Sequence, residues 1–140
     1  MKKYEFLEHT ADVFIVGNGK TLKEAFQNSA LGVMQYMVDI KTVQLKIQKK
    51  IKAKGSDLKS LLVEFLTQVL ALHDAENLVF SKFKVTKFDD KKFEIEATAQ
   101  GEDFNAKKHK QGTLIKAITY HEMEIKKRKN IYSIKFLVDI

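Results

Sequence analysis

The chain has 140 residues, 44% of them hydrophobic and 31% charged, with 25 Lys and Arg against 18 Asp and Glu. That length supports one domain around one core, and the apolar fraction excludes wholesale disorder. The lack of cysteine removes disulfide scaffolds, thiolate zinc sites, iron–sulfur clusters and cysteine nucleophiles together.

The greasiest stretch, Leu58 to Leu72, is interrupted by Lys59, Glu64 and Gln68, so no membrane span is expected. Met1-Lys2-Lys3-Tyr4-Glu5 has no apolar run behind its lysines, so no secretory signal is expected. A soluble cytoplasmic protein is the expectation.

Tyr4 to Leu7 and Val13 to Val16 read as two short strands, and Asn18-Gly19 as a turn. Thr21-x-x-Glu24 spells a capping box, and Leu22, Ala25, Phe26, Ala30, Val33 and Met37 recur at helical spacing to about Val38. Val43, Leu45, Ile47, Ile51 and Ala53 alternate as a half-buried strand, with Lys49 breaking the apolar side. Lys54-Gly55-Ser56-Asp57 stops it and opens a second helix. Leu58, Leu61, Leu62, Phe65, Leu66, Val69 and Leu72 give that helix the broader apolar face.

The second half is mostly strand. Leu78 to Phe88 and Lys92 to Gln100 flank Asp89-Asp90-Lys91 as a hairpin. Gly101 to Gly112 reads as a polar loop, Ile115 to Ile125 as a strand, and Ile131 to Val138 as the last strand. The whole is a single α+β domain over 1–140, with antiparallel sheet of roughly seven or eight strands and two main helices.

Several motifs carry less chemistry than their letters suggest. Gly17-Asn18-Gly19-Lys20-Thr21 imitates a phosphate loop, but a P-loop glycine would have to stand where Phe14 does. His9, His73, His109 and His121 show no ligand spacing. His73-Asp74 is read as following the second helix, where the helix dipole favours an imidazolium. His121 and Glu122 adjoin on a strand, so pleating sends them to opposite faces and bars an acid–base pair. Glu94 and Glu96 share a solvated strand face. The basic residues are lysines apart from Arg128, and the dense run Lys126 to Lys129 reads as a solvated hairpin turn.

The chain end says more. Tyr132, Ile134, Phe136, Val138 and Ile140 alternate as one apolar face, so the chain ends inside a strand. The side chain of Asp139 and the α-carboxylate of Ile140 then stand side by side, a costly arrangement without a cation. His9-Thr10-Ala11-Asp12 offers a third carboxylate. Three hard oxygen groups suit Ca²⁺, Mg²⁺ or Mn²⁺; a lysine paired with the terminal carboxylate is the plainer alternative.

A set of short runs recurs in order over the whole chain. It begins with Tyr4-Glu5-Phe6-Leu7, His9-Thr10-Ala11-Asp12, Gly19-Lys20-Thr21-Leu22 and Ala30-Leu31-Gly32. It continues with Leu61-Leu62, Leu72-His73-Asp74, Phe80-Ser81-Lys82-Phe83 and Ala99-x-Gly101-Glu102. Lys108-His109, Lys116 through His121 and Val138-Asp139-Ile140 complete it. In these the sequence resembles the archease family.

The resemblance implies a small α+β protein that is not itself a catalyst. It implies an activator of RtcB-type RNA ligases, which join tRNA halves bearing a 2′,3′-cyclic phosphate or 3′-phosphate to a 5′-hydroxyl. The implied role is to promote guanylylation of the ligase histidine and sustain multiple turnover. The tRNA would be met only through the ligase, and no nucleotide would be bound by this chain alone. The family's metal site, described with calcium, maps onto Asp12, Asp139 and the terminal Ile140. Other readings are a direct RNA-binding module using Lys126–Lys129 with Lys107, Lys108 and Lys110, or a chaperone-like interaction protein. A metal-using hydrolase is disfavoured, because no poised base or nucleophile accompanies the three carboxylates.

Overall fold

The computed structural model describes residues 1–9 and 12–140, with His9 described in its backbone alone. Thr10 and Ala11 of the His9–Asp12 run lie outside the described residues.

Seven strands and two α-helices are described, in the order β1 (Tyr4–His9), β2 (Asp12–Gly19), α1 (Leu22–Met37), β3 (Ile47–Lys54), α2 (Leu58–Glu76), β4 (Leu78–Asp89), β5 (Glu94–Asp103), β6 (Ala117–Arg128) and β7 (Ile131–Asp139). A short 3₁₀ turn, Ile40–Thr42, follows α1. The strands form two antiparallel sheets, ordered β1-β2-β7-β6 and β3-β5-β4. Each helix touches both sheets: α1 lies on β2 and reaches β4, and α2 lies on β3 and reaches β6. One apolar core results, with Phe26, Phe65, Phe80 and Phe136 fully buried in it. The α+β expectation with two helices and seven strands is met.

The helix starts follow from their capping residues. Thr21 Oγ1 accepts the Glu24 amide at 3.1 Å. The return half of the expected box goes elsewhere, because Glu24 Oε2 accepts the Lys20 amide at 2.9 Å. The reciprocal capping box is at α2. There Asp57 accepts the Ser60 amide at 2.8 Å, while Ser60 Oγ accepts the Asp57 amide at 3.1 Å. Helix α2 closes on Asn77, whose φ of 55° supplies the left-handed residue that ends many helices. His73 and Asp74 therefore lie inside α2, in or near its last turn, and do not follow it. The His73 ring is hydrogen-bonded to the Leu78 carbonyl at 2.8 Å through Nδ1.

Asn18-Gly19 is no turn. Both residues sit in β2, opposite Ser133 and Tyr132. Asn18 is 6% exposed and acts as a polar hub. Its Nδ2 donates to the Lys2 carbonyl and Glu5, its Oδ1 accepts from Ser133 Oγ, and its carbonyl accepts from Asn28 Nδ2. The neighbouring glycines serve close packing of α1. A Cβ on Gly17 would lie 2.8 Å from Ser29 Cα, and one on Gly19 would lie 2.5 Å from the Ala25 nitrogen.

Strand β3 starts at Ile47 rather than Val43, since the 3₁₀ turn occupies 40–42 and residues 43–46 are irregular. Lys49, the misfit of its alternation, reaches Glu76 at 2.9 Å. Glu94 and Glu96 line a solvated face as expected, bridged to Lys54, Lys52 and Lys87.

Strand β6 runs later than expected, and it is interrupted. The ladder with β7 steps from Thr119–Leu137 to Glu124–Lys135, so four residues of β6 span one of β7. Glu122 takes φ 50° in this bulge. That conformation cancels the pleat, and His121 Nε2 comes to 3.9 Å from Glu122 Oε2, both well exposed. The expectation that the two must oppose is corrected on that ground. The expected hairpin is present, but its turn is Lys129-Asn130, at φ 47° and 66°, while Lys126, Lys127 and Arg128 are still strand, paired with Ser133, Tyr132 and Ile131.

Candidate metal centre at the chain end

The β2–β7 ladder sets the geometry. Val13 pairs with Val138, and both are fully buried. The ladder ends at that pair; β2 begins one residue earlier, at Asp12, and β7 ends one residue later, at Asp139, so the two aspartates flank the same last rung. Alternation turns both carboxylates to the face of the sheet away from the Val13 and Val138 side chains. Asp12 is half-buried and Asp139 exposed. Among the described residues neither carboxylate has an ion-pair or hydrogen-bond partner.

The end of β7 is held from two sides. The Lys116 amide donates to the Asp139 carbonyl at 2.7 Å, and Ala117 pairs with Asp139 in the β6 ladder. The Ile140 side chain packs against the core. The residue that carries the predicted α-carboxylate is thereby tied down beside two aspartates. Oxygen donors of this kind suit a hard divalent cation. The predicted set holds only two acidic side chains, and no group of three His, Cys, Asp or Glu stands together among the described residues. The third member of the predicted set, Ile140, offers main-chain oxygens alone.

The histidine expectations resolve individually. His73 caps a carbonyl, His121 is on the surface, and His109 is 3% exposed. His109 belongs to a cluster that sequence reasoning missed. Its Nε2 is 2.9 Å from Glu102 Oε2 and its Nδ1 accepts the Asn105 amide at 2.9 Å. Lys108 Nζ donates to both Glu102 oxygens at 2.7 and 2.8 Å, and the Gln44 amide donates to Glu102 at 2.7 Å. Burial pushes the Glu102 carboxyl up. The Gln44 amide, the Lys108 ammonium and the His109 N–H outweigh it and hold the pKa down at about 2.

This clasp orders the polar segment 104–116. Further along, Gly112 and Thr113 donate to the carbonyls of Met37 and Tyr36 at the end of α1, and Lys116 reaches Asp139. The clasp and the acidic pair thus lie at two ends of one connected segment. The only sequence signal was the recurrence of Glu102 and Lys108-His109 among the quoted runs.

Two antiparallel sheets sharing two helices, with aspartates at one end of the two central strands of the larger sheet, define a compact α+β class of domain. No helix is long and apolar enough to cross a membrane among the described residues. The model of the Archease protein family (MTH1598/TM1083) matches residues 4–140, and the chain belongs to that family.

It is 43% identical to a protein archease of Sulfurisphaera tokodaii, over 100% of both chains. It is 48% identical over 124 residues to a protein archease-like of Drosophila melanogaster, covering 88% of this chain and 80% of that one. Among solved structures it is similar to Methanobacterium thermoautotrophicum protein 1598, with a TM-score of 0.85, 34% identity and 100% coverage of both chains. A Thermotoga maritima archease described as a possible chaperone shares the fold, with a TM-score of 0.65, 18% identity and coverage of 96% and 94%.

Proposed function

We propose that this archease is a non-catalytic activator of an RtcB-type RNA ligase in tRNA splicing, and that Asp12, Asp139 and the α-carboxylate of Ile140 hold a divalent cation, calcium in the first instance. The observation that carries the reading is the register of β2 against β7. Two aspartates without partners among the described residues flank its last rung, Val13–Val138, next to the residue that packs against the core.

Two carboxylates on neighbouring strands repel each other unless a cation screens them. The ligase must guanylylate a histidine, a step that needs positive charge on the nucleotide phosphates. A cation held at this end of the sheet would supply positive charge to the interface. The chain's own contribution is to present the oxygens on rigid strands, with Leu7 at 45% and Tyr120 at 54% exposure as apolar ground for a partner. Binding the guanylylation-competent ligase better than its resting form is sufficient for activation.

The test is multiple-turnover ligation by a cognate ligase, with wild-type protein and with Asp12→Ala and Asp139→Ala. Both variants are expected to fold and to lose stimulation. Normal stimulation by both variants would refute the site, and no stimulation by the wild type would refute the function. Protection of unrelated clients from aggregation, with no effect on the ligase, would instead favour the chaperone-like reading.

A further inference from the structure

The opposite end of the β2–β7 ladder carries a different chemistry. A cleft of about 500 Å³ opens between the start of α1, the β4–β5 turn and the β6–β7 hairpin. Lys20, Lys23 and Lys127 line it, with Phe88, Tyr132 and a single carboxylate, Asp90. Several lysines elsewhere are paired: Lys49, Lys52 and Lys54 of β3 reach Glu76, Glu96 and Glu94, and Lys108 reaches Glu102. Among the described residues the three cleft lysines have no carboxylate partner. The nearby acids are engaged with main chain, Glu24 on the Lys20 amide and Asp89 on the Lys91 and Lys92 amides.

Two rings stand in this cationic setting. The Lys127 ammonium lies 5.4 Å from the centre of the half-buried Tyr132 ring. Phe88, also half-buried, is braced edge-on by Phe26 at 4.9 Å. Positive charge continues out of the cleft along the exposed Arg128 and Lys129 of the hairpin.

We propose that this cleft binds single-stranded RNA, seating a backbone phosphate among Lys20, Lys23 and Lys127 and stacking a base on Tyr132. A pocket of this size holds about one nucleotide, and the basic track beyond it accommodates the phosphates that follow. Lysines act as point charges without a fork, so recognition is of backbone and ring rather than of sequence. The cleft lies about 25 Å along β2 from Asp12, at the usual rise per strand residue. RNA there leaves the acidic end of the sheet free for a protein partner. The inference does not depend on the ligase reading, since it concerns binding by this chain alone.

Fluorescence anisotropy of a short labelled oligouridine against the full chain, without ligase, tests it. Wild type should bind with an affinity that falls steeply as salt rises. Lys20→Ala/Lys23→Ala/Lys127→Ala should weaken binding about tenfold or more and flatten the salt dependence. Tyr132→Leu, with its fold checked by thermal melting, should weaken binding about fivefold or more with the salt slope unchanged. Lys82→Ala/Lys84→Ala, exposed lysines of β4, should stay within about twofold of wild type, as should Asp12→Ala. No binding by wild type, or equal loss in the β4 variant, overturns the proposal. Uridine monophosphate competing as well as the oligonucleotide would mark a mononucleotide pocket and overturn it too.

Discussion

His109 and Glu102 share a hydrogen bond of 2.9 Å that fixes the tautomer of the ring. The Asn105 amide can only donate, so Nδ1 must accept, and the proton on the neutral ring belongs to Nε2, which donates to Glu102. The charge partner of Glu102 is therefore Lys108, and the imidazole is a neutral strut. ¹⁵N shifts of His109 near neutral pH should report the Nε2–H form. His109→Ala removes one of three donors from the buried Glu102 Oε2 and leaves the Asn105 amide unserved, at a cost of about 1–3 kcal/mol. Hydrogen exchange should localise the loss, with Asn105 and Gly112 amides exchanging faster and those of β5 little changed.

The same cluster gives acid stability a defined window. The Glu102 pKa is about 2 in the fold against 4.5 ordinarily. A carboxyl whose folded pKa is depressed contributes stability above its unfolded pKa and loses it as the pH falls through the folded one. The contribution is thus complete above about pH 4.5 and is withdrawn between there and pH 2. Denaturant titrations at stepped pH should show stability falling as the medium is acidified across that interval. Glu102→Gln should be less stable at neutral pH and show a shallower slope over the same interval. An unchanged slope would remove Glu102 from the titration.

Strand and helix identities were legible because alternation and helical spacing are local. Ile95, Ala97 and Ala99 announce a half-buried strand, and Leu61, Phe65 and Val69 a buried helix face. Where local signals conflicted with tertiary needs, the reading failed. Asn18-Gly19 has turn composition, yet Asn18 spends its side chain joining β1 to β7 and Gly19 admits α1. Pleating could not foresee the Glu122 bulge, because a single left-handed residue leaves no periodic trace. The Glu102 cluster reads as scattered charge, since its parts meet only after 104–112 folds back. Asp12 and Asp139 read as two separate carboxylates, joined into one site only by the family resemblance. Their pairing required the sheet order, which no local pattern encodes.

Close approach of β2 to α1 makes Gly17 and Gly19 sensitive positions. Both have backbone or rigid atoms of α1 inside the space that a Cβ would take. Gly17→Ala should destabilise by about 1–3 kcal/mol through overpacking, and the denaturant midpoint should fall without a change in m-value. Because β2 also carries Asp12, displacement of the strand should weaken any cation binding at the chain end in the same variant. A Gly17→Ala protein with wild-type stability would show that α1 can retreat at no cost.

Cation binding at the chain end has a readout independent of any ligase. A ligand that binds only the folded state raises stability by an amount that grows with the logarithm of its concentration. Calcium at about a hundred times its dissociation constant should add about 2.7 kcal/mol, read as a higher melting temperature in wild type. Asp12→Asn and Asp139→Asn each remove one anionic oxygen donor and relieve the repulsion between the opposed carboxylates. Each variant should therefore melt at or above the wild-type temperature without metal, and respond weakly or not at all when calcium is added. The two effects have opposite signs, which separates a cation site from a structural ion pair. Loss of stability in metal-free buffer would assign the carboxylates to the fold, and an unchanged calcium response would place the ion elsewhere.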